Sequence, residues 1–444
     1  MGAAGRDEIL IAGGGIGGLT LALSLAKRGI ACHVLEQRDN FPGDGAGIQI
    51  GPNGTRILAG LDLTEKLRPL AGVPHCLRVL DGETARPLAE MPLGQSLADR
   101  HGAPYWVAHR GDLHSILQTA ALREPSIRIT MGATVASVHQ SPDGVTAEAS
   151  SGRALIAADG IWSKLRETYF DPTPPRFEMK SAARSVISRS DAPSGLRANV
   201  TTAWLAPGAH VVHYPIRGGR EIAIVVIVSE NVASRDWSAD VVPGWVADRT
   251  RGFHPSLRQL LAVPSDWRKW SLHALPPPAR IASGRLALLG DAAHPVLPFL
   301  AQGGVMAMED AAVLAREIAG ADRDIPAALD RYQRLRIPRV SKVAAASRRN
   351  GEIYHMGGAM AVTRTVLLKL GIIEVGPTLK GANPDTVLID AKAAPARKAD
   401  RLAEQVERRA DAKAWVRLAG SLEEQQEQVL AAVQAWASEQ LGDD

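Results

Sequence analysis

Apolar residues recur in three ways along this chain. Short apolar runs stand at 9–12, 31–35 (interrupted only by His33), 154–158 and 286–289, most of them followed by glycine or by an acid and glycine. Runs of that length bounded by turn residues predict strands buried on both faces. Between them, residues 16–28, 113–124, 305–319 and 326–350 read as helices, and the first ends in Lys27-Arg28-Gly29, with cations in the last turn and glycine just past it. From about 180 to 229 the pattern changes. AARSVISR, TTAWLAP, AHVVHYPIR and EIAIVVIV are strand-like and separated by turn residues such as Arg217-Gly218-Gly219-Arg220, which predicts an antiparallel sheet.

Smaller features complete the plan. Residues 76–100 read as two short strands with a turn at Asp81-Gly82, and two further strands flank Pro142-Asp143-Gly144. Residues 241–268 are expected to be helical. The proline-rich run 171–178 and Pro276-Pro277-Pro278 mark crossings between two bodies. The expected fold class is α/β: a Rossmann-like domain over 1–75, 101–178 and 276–370, an inserted antiparallel-sheet domain over 76–100 and 179–275, and a C-terminal helical extension over 371–444. In that extension Leu422, Val429, Val433 and Trp436 recur at helical spacing.

Composition narrows the class of protein. The 444 residues are 45% hydrophobic and 22% charged, ordinary for two or three globular domains. Lys and Arg number 51 against 47 Asp and Glu, a net +4 spread along the chain, so no nucleic-acid footprint is expected. Two cysteines, Cys32 and Cys76, make neither a disulfide framework nor a metal site. No apolar run reaches the ~18 residues of a membrane span, and the first strand begins too early to leave room for a signal peptide. A cytoplasmic protein is the expectation.

The first strand, helix and second strand carry candidate chemistry. Gly13, Gly15 and Gly18 have G-x-G-x-x-G spacing, and Glu36 closes the second strand about 20 residues on. Glycines allow a tight turn and close approach of a pyrophosphate, the helix N-terminus offers free N–H groups to it, and the acid can accept hydrogen bonds from a ribose. A dinucleotide site follows, and the motif does not distinguish FAD from NAD. Further candidates stand where α/β sheets bind ligands, at strand ends and helix entries: Arg110 before a helix with Asp112 as its expected N-cap, Asp159-Gly160, Gly290-Asp291, and Gly303-Gly304.

The order of these motifs resembles the class A single-component FAD aromatic hydroxylases, with the para-hydroxybenzoate hydroxylase fold. The match runs over about residues 6 to 370. PFLAQGGVMAMEDAAVLA together with HYPIRGG is most similar to the salicylate hydroxylase, 3-hydroxybenzoate 6-hydroxylase and 6-hydroxynicotinate 3-monooxygenase group. The resemblance implies FAD held by Gly13, Gly15, Gly18 and Glu36, with Gln49 and Arg110 along its path. It implies Asp159 in a motif serving both FAD and the nicotinamide nucleotide, Asp291 at the ribityl or pyrophosphate side, and Gly303 and Gly304 near the flavin's pyrimidine edge. NADH or NADPH would bind transiently, since no second G-x-G-x-x-G is evident. The implied reaction uses O2 and a flavin C4a-hydroperoxide to hydroxylate a small phenolic acid or heteroaromatic, and a homodimer is possible.

That reaction needs a base. A phenol ionises near pH 10, so a positioned base accelerates its attack. On a regular strand residues two apart share a face, so His210 and Tyr214 point one way and His213 the other. A base with a neighbouring hydroxyl favours His210 with Tyr214, a separation matching the family's active His and Tyr; a bulge would exchange the faces and favour His213. Gln302 lies on the loop expected to pass the flavin's reactive edge and is a candidate substrate contact. His294 reads as structural, and Arg184 could meet a substrate carboxylate. Rival readings are a hydroxylase of a larger aromatic such as a quinolone or polyketide, an FAD reductase or dehydrogenase on the same fold, and a flavin-binding protein whose tail is the working part.

Overall fold

A computed structural model describes residues 7–41, 46–233, 239–321, 324–358, 361 and 364. The extension expected over 371–444 lies outside the described residues.

A six-stranded sheet runs in the order β18-β19-β11-β1-β2-β7. Its members are β1 (Ile9–Ala12), β2 (Cys32–Glu36), β7 (Ile127–Met131), β11 (Ala154–Ala157), β18 (Ala282–Ser283) and β19 (Leu286–Leu288). All neighbours are parallel except the β18–β19 pair. Every residue of β1, β2, β11 and β19 is buried. That accounts for the near-continuous apolar runs, because a parallel strand with both faces covered has no solvent side to mark with alternating polar residues. The long helices of this body are α1 (Ile16–Ala26), α5 (Arg110–Leu122), α9 (Gly303–Ala319) and α10 (Ile325–Tyr354); α2 (Pro52–Gly60), α3 (Thr64–Leu67), α4 (Gly94–His101) and α6 (Lys164–Tyr169) fill connections. The segment expected as one strand before Pro142 divides. Gly132 takes a φ of +68° after β7, and the chain resumes as β8 (Val138–Ser141) in a separate three-stranded sheet with β9 (Gly144–Ala147) and β10 (Ser150–Gly152).

The second body is an eight-stranded sheet, β16-β17-β12-β15-β14-β13-β4-β5. It draws on β4 (Cys76–Asp81), β5 (Pro87–Pro92), β12 (Arg176–Ser188), β13 (Thr201–Ala206), β14 (Ala209–Ile216), β15 (Glu221–Ser229), β16 (Ala239–Asp240) and β17 (Arg268–Ala274). Neighbours are antiparallel except β13 with β4, two strands from segments far apart in the chain. One face packs Tyr214, Ile216, Ala223 and Leu205 against Leu297, Phe299 and Tyr354. The opposite face packs Trp204, Val211 and Ile224 against Trp245, Leu257 and Leu260. These last belong to two short helices, α7 (Trp245–Arg249) and α8 (Pro255–Leu261). The expected helix over 241–268 is thus broken, with Gly252 in the link and Pro255 starting the second helix. Between the bodies lies an antiparallel pair, β3 (Gly47–Ile50) with β6 (Trp106–His109).

Candidate active site

The three motif glycines differ in their reasons for being glycine. Gly13 has φ +110°, and a Cβ there would sit 2.5 Å from the Ala158 carbonyl oxygen. A Cβ on Gly18 would overlap the Gly13 carbonyl oxygen, so Gly18 permits α1 to lie against β1. Around Gly15 no atom lies within 4 Å of an added Cβ. Gly15 is the N-cap of α1 and offers no side-chain hydrogen bond, so the helix's first N–H groups remain available. They open on a cavity of about 1230 Å³ whose wall includes Gly15, Glu36, Arg110, Asp159, Arg184 and Asp291. Glu36 Oε2 accepts from Gly14 N–H at 2.7 Å and Oε1 from Arg38 N–H at 3.0 Å.

Charged groups punctuate the cavity. Arg110 and Asp291 are exposed on the cavity wall, where the surrounding protein still desolvates their charges in part. Burial lowers the Arg110 pKa, with Asp291 opposing; burial raises that of Asp291, with His294 and Arg110 opposing. Asp159 is raised by burial against hydrogen bonds from Ser163 and backbone N–H groups, and its Oδ1 has no partner among the described residues. Asp112 is not the cap of α5. His109 caps it, accepting from Gly111 N–H, and Asp112 receives hydrogen bonds from Arg217. The sequence suggested Asp112 because aspartate commonly caps helices, but the chain turns helical earlier, at Arg110.

A buried ionic network fixes the Gly290-Asp291 turn. Asp310 Oδ2 accepts from Gly290 N–H at 3.0 Å and lies 2.6 Å from His294 Nε2, and Oδ1 accepts from Arg336 Nε at 2.6 Å. Burial opposes its charge, but His294 and Arg336 outweigh it and hold the carboxyl below the usual range. Next to it, Glu309 pairs with Arg336 and Arg339 and accepts from Asn53 Nδ2 at 2.7 Å. Asn53 Nδ2 also donates to Gln302 Oε1 at 3.0 Å. Asp310→Ala would strand Arg336 without one of its two acidic partners. The expected loss is about 3–5 kcal/mol in denaturant unfolding, and a loss below 1 kcal/mol would contradict this account.

The second body contributes the face of β14. His210 and Tyr214 share it with Ile216, while His213 lies on the other face beside Trp204, ring centroids 6.5 Å apart. His210 is 2% exposed. Its ring centroid lies 5.2 Å from Tyr354, 5.6 Å from Phe299 and 5.0 Å from His355. Its Nδ1 is 2.8 Å from His355 Nε2. Burial drives the His210 pKa well below the ordinary imidazole value, and His355 and Lys180 act in the same direction; burial lowers His355 to about 4. Both rings are therefore neutral at pH 7. Tyr214 is buried so closely over β3 that a Cβ on Gly47 would overlap its ring, and burial raises its phenol.

His210, Tyr214, Gln302, Gln49, Gly303 and Gly304 do not line the cavity. Three of them meet at β3: Gly47 touches Tyr214, a Cβ on Gly304 would meet Ile48 at 2.9 Å, and Gln49 Oε1 accepts from Tyr105 Oη at 2.5 Å. Gln302 is the N-cap of α9, next to Gly303. Arg184 does line the cavity, from the row of the sheet that carries Val225 and Val212 between His210 and Tyr214. It lies over Trp270, 4.3 Å from the ring centroid, and no carboxylate pairs with it among the described residues. Burial lowers it to about 10. His355, Asn53 and Asp310 escaped the sequence reading. Tyr354-His355 beyond the long helix was the one visible signal for the first; the others look like ordinary helix polar residues.

A glycine-turned helix N-terminus over a long cavity, an acid at the second strand's end, and a sheet face presenting His and Tyr define a flavin-binding class. The chain matches the FAD binding domain family over residues 6–347 and belongs to it, and within it the chain is an FAD-dependent aromatic hydroxylase. The 3-hydroxybenzoate 6-hydroxylase of Klebsiella oxytoca is 35% identical over 369 residues, covering 81% of this chain and 92% of that protein. The 3-amino-4-hydroxybenzoate 2-monooxygenase PtmB3 of Streptomyces platensis is 37% identical over 358 residues, covering 79% and 89%. Among solved structures, HpxO of Klebsiella pneumoniae with FAD and uric acid aligns with TM-score 0.72 and 27% identity, covering 83% of this chain and 93% of that one. A salicylate hydroxylase substrate complex aligns with TM-score 0.70 and 25% identity, covering 88% and 100%. The uncapped α1 terminus, the open space at Gly15 and the unpartnered Asp159 Oδ1 fit FAD, with a reduced nicotinamide as co-substrate. No helix among the described residues is long and apolar enough to cross a membrane.

Proposed function

We propose that this enzyme hydroxylates a small phenolic aromatic acid of the hydroxybenzoate type, next to or opposite its existing hydroxyl, using NAD(P)H and O2. The observation that carries the reading is the inner face of β14, where a neutral, buried His210 stands with Tyr214. Phe299, Tyr354 and Tyr105 pack around them, and the hydroxybenzoate enzymes among the relatives favour a small ring that carries a carboxylate. Heteroaromatic acids remain within the class.

Each residue then has a task. FAD, bound and reduced, supplies the oxygen chemistry. Gly13 and Gly15 hold its pyrophosphate, with Gly18 letting α1 lie close enough to β1 to present them, Glu36 holds its adenosine ribose, and Arg110, Asp159 and Asp291 the charged middle of the cavity. Gln49, Gly303 and Gly304 shape the side along β3 and α9. His210 accepts the phenolic proton, Tyr214 hydrogen-bonds the resulting oxygen, and Gln302, held by Asn53, orients the ring. A phenolate is a far better nucleophile than a phenol, and a positioned base contributes typically ~10²–10⁴-fold. Residues 76–100 and 179–275 act as the substrate-holding unit, and a cytoplasmic homodimer belongs to the same reading.

The test is NADH and NADPH oxidation by FAD-loaded protein with salicylate, 3-hydroxybenzoate, 4-hydroxybenzoate, 6-hydroxynicotinate or a hydroxyquinolone, with peroxide measured in parallel. Stimulation with little peroxide by a hydroxybenzoate is expected. Stimulation by the hydroxyquinolone alone would move the substrate to the larger aromatics. Nicotinamide oxidation without oxygen uptake would mean a reductase.

A further inference from the structure

The residue facing His210 is a second histidine on the turn that follows α10. His355 brings its Nε2 to 2.8 Å from His210 Nδ1. The turn is fastened: Arg364 Nη1 donates to the carbonyls of Tyr354 and Met356 at 3.5 and 3.4 Å, and Gly208 N–H donates to the His355 carbonyl at 3.2 Å. Phe299 and Tyr354 pack against His210 from the sides. The two nitrogens can share only one proton, so the position of that proton decides what the opposite edge of His210 can do.

We propose that His355 is the positioning and proton-accepting partner of His210, carrying the substrate's phenolic proton away from the reacting ring. This rests on the reading of His210 as the base. With the shared proton on His210 Nδ1, His210 Nε2 is a bare acceptor. The phenol O–H bond breaks and an N–H bond forms at His210 Nε2. The N–H bond at His210 Nδ1 breaks as one forms at His355 Nε2. The proton on His355 Nδ1 then passes to a water held at that buried nitrogen, which returns both rings to neutrality. His355 Nδ1 is itself buried and has no partner among the described residues, which makes it an unsatisfied polar atom of the kind that an ordered water completes, and the His355 ring as a whole is half-buried where that of His210 is buried.

Surrounding charge favours release over storage. Lys180, from β12, lowers the proton affinity of both rings. The other titratable groups around the pair among the described residues are Tyr354 and Tyr214, which burial keeps neutral, and Arg364 behind the turn. No carboxylate among the described residues holds an imidazolium there. The pair therefore conducts a proton without trapping it.

The experiment uses the full chain loaded with FAD, 3-hydroxybenzoate as probe, and the variants His355→Phe and His355→Gln. Ionisation of the bound phenol is read by ultraviolet difference absorbance against pH, and product per NAD(P)H is read across the same range. Both variants should bind FAD and be reduced normally. In both, the apparent pKa of the bound phenol should rise by about one unit or more, a tenfold effect. Product yield at pH 7 should fall correspondingly and recover toward pH 9–10, where the phenol ionises unaided. Glutamine can hydrogen-bond His210 Nδ1 but cannot pass a proton, so full activity in His355→Gln would overturn the relay. So would a loss in both variants that does not vary with pH. His210→Ala with undiminished hydroxylation would sink the base assignment instead, whatever the His355 variants show.

Discussion

His210→Ala should lower product formation at pH 7 by about 10²–10⁴-fold while FAD stays bound and NAD(P)H still reduces it. The expectation follows from the neutrality of His210. Burial and the neighbouring His355 and Lys180 keep its proton affinity low, so at pH 7 it is free to accept. Without it the phenol must ionise against its own pKa near 10. Oxygen consumption should continue, now ending as peroxide, and raising the pH should restore part of the yield. His213→Ala is the control. That ring lies on the opposite face, beside Trp204, so its loss should reduce stability and leave the ratio of product to peroxide unchanged. Exchanged outcomes for the two variants would overturn the assignment of the base.

Gly18→Ala and Gly15→Ala should fail in different ways. A methyl on Gly18 would overlap the Gly13 carbonyl, which forces α1 off β1 and disrupts the packing of Leu19, Leu21 and Leu25 against the sheet. Destabilisation of more than ~4 kcal/mol is expected, and the protein should be recovered poorly or without flavin. A methyl on Gly15 meets nothing in the protein and should leave the melting temperature of the flavin-free chain within about 2 °C, since exposed substitutions away from special contacts cost little. It would stand where the pyrophosphate approaches the helix N-terminus, so FAD affinity should fall by at least tenfold. Equal FAD affinity in Gly15→Ala and the unaltered chain would remove Gly15 from the proposed site.

Much of the first body was legible because its signals are local. Glycine spacing, an acid at a strand's end and near-continuous apolar runs each express a constraint acting within a few residues. The errors also have local causes. Asp112 has the right side chain for an N-cap but stands two residues inside the helix, and the broken segment at 241–268 follows from Gly252 and Pro255, which interrupt an otherwise plausible period. The alternation of side chains along β14 put His210 with Tyr214 and His213 opposite, and no bulge interrupts its pairing with β15 from 209 to 216.

By itself, the sequence determined the order of elements, the glycine-rich turn between the first strand and helix, and the separation of His210 from His213 onto two faces, because each depends on chain geometry over fewer than about thirty residues. Only the tertiary structure decided what those residues meet. His355 reaches His210 across 145 positions, Asn53 reaches Gln302 across 249, and Asp310 gathers Gly290, His294 and Arg336. Such partners leave no periodic trace, since a hydrogen bond between distant elements requires only that one polar atom arrive within about 3 Å of another. That arrival is fixed by how the sheets and helices pack.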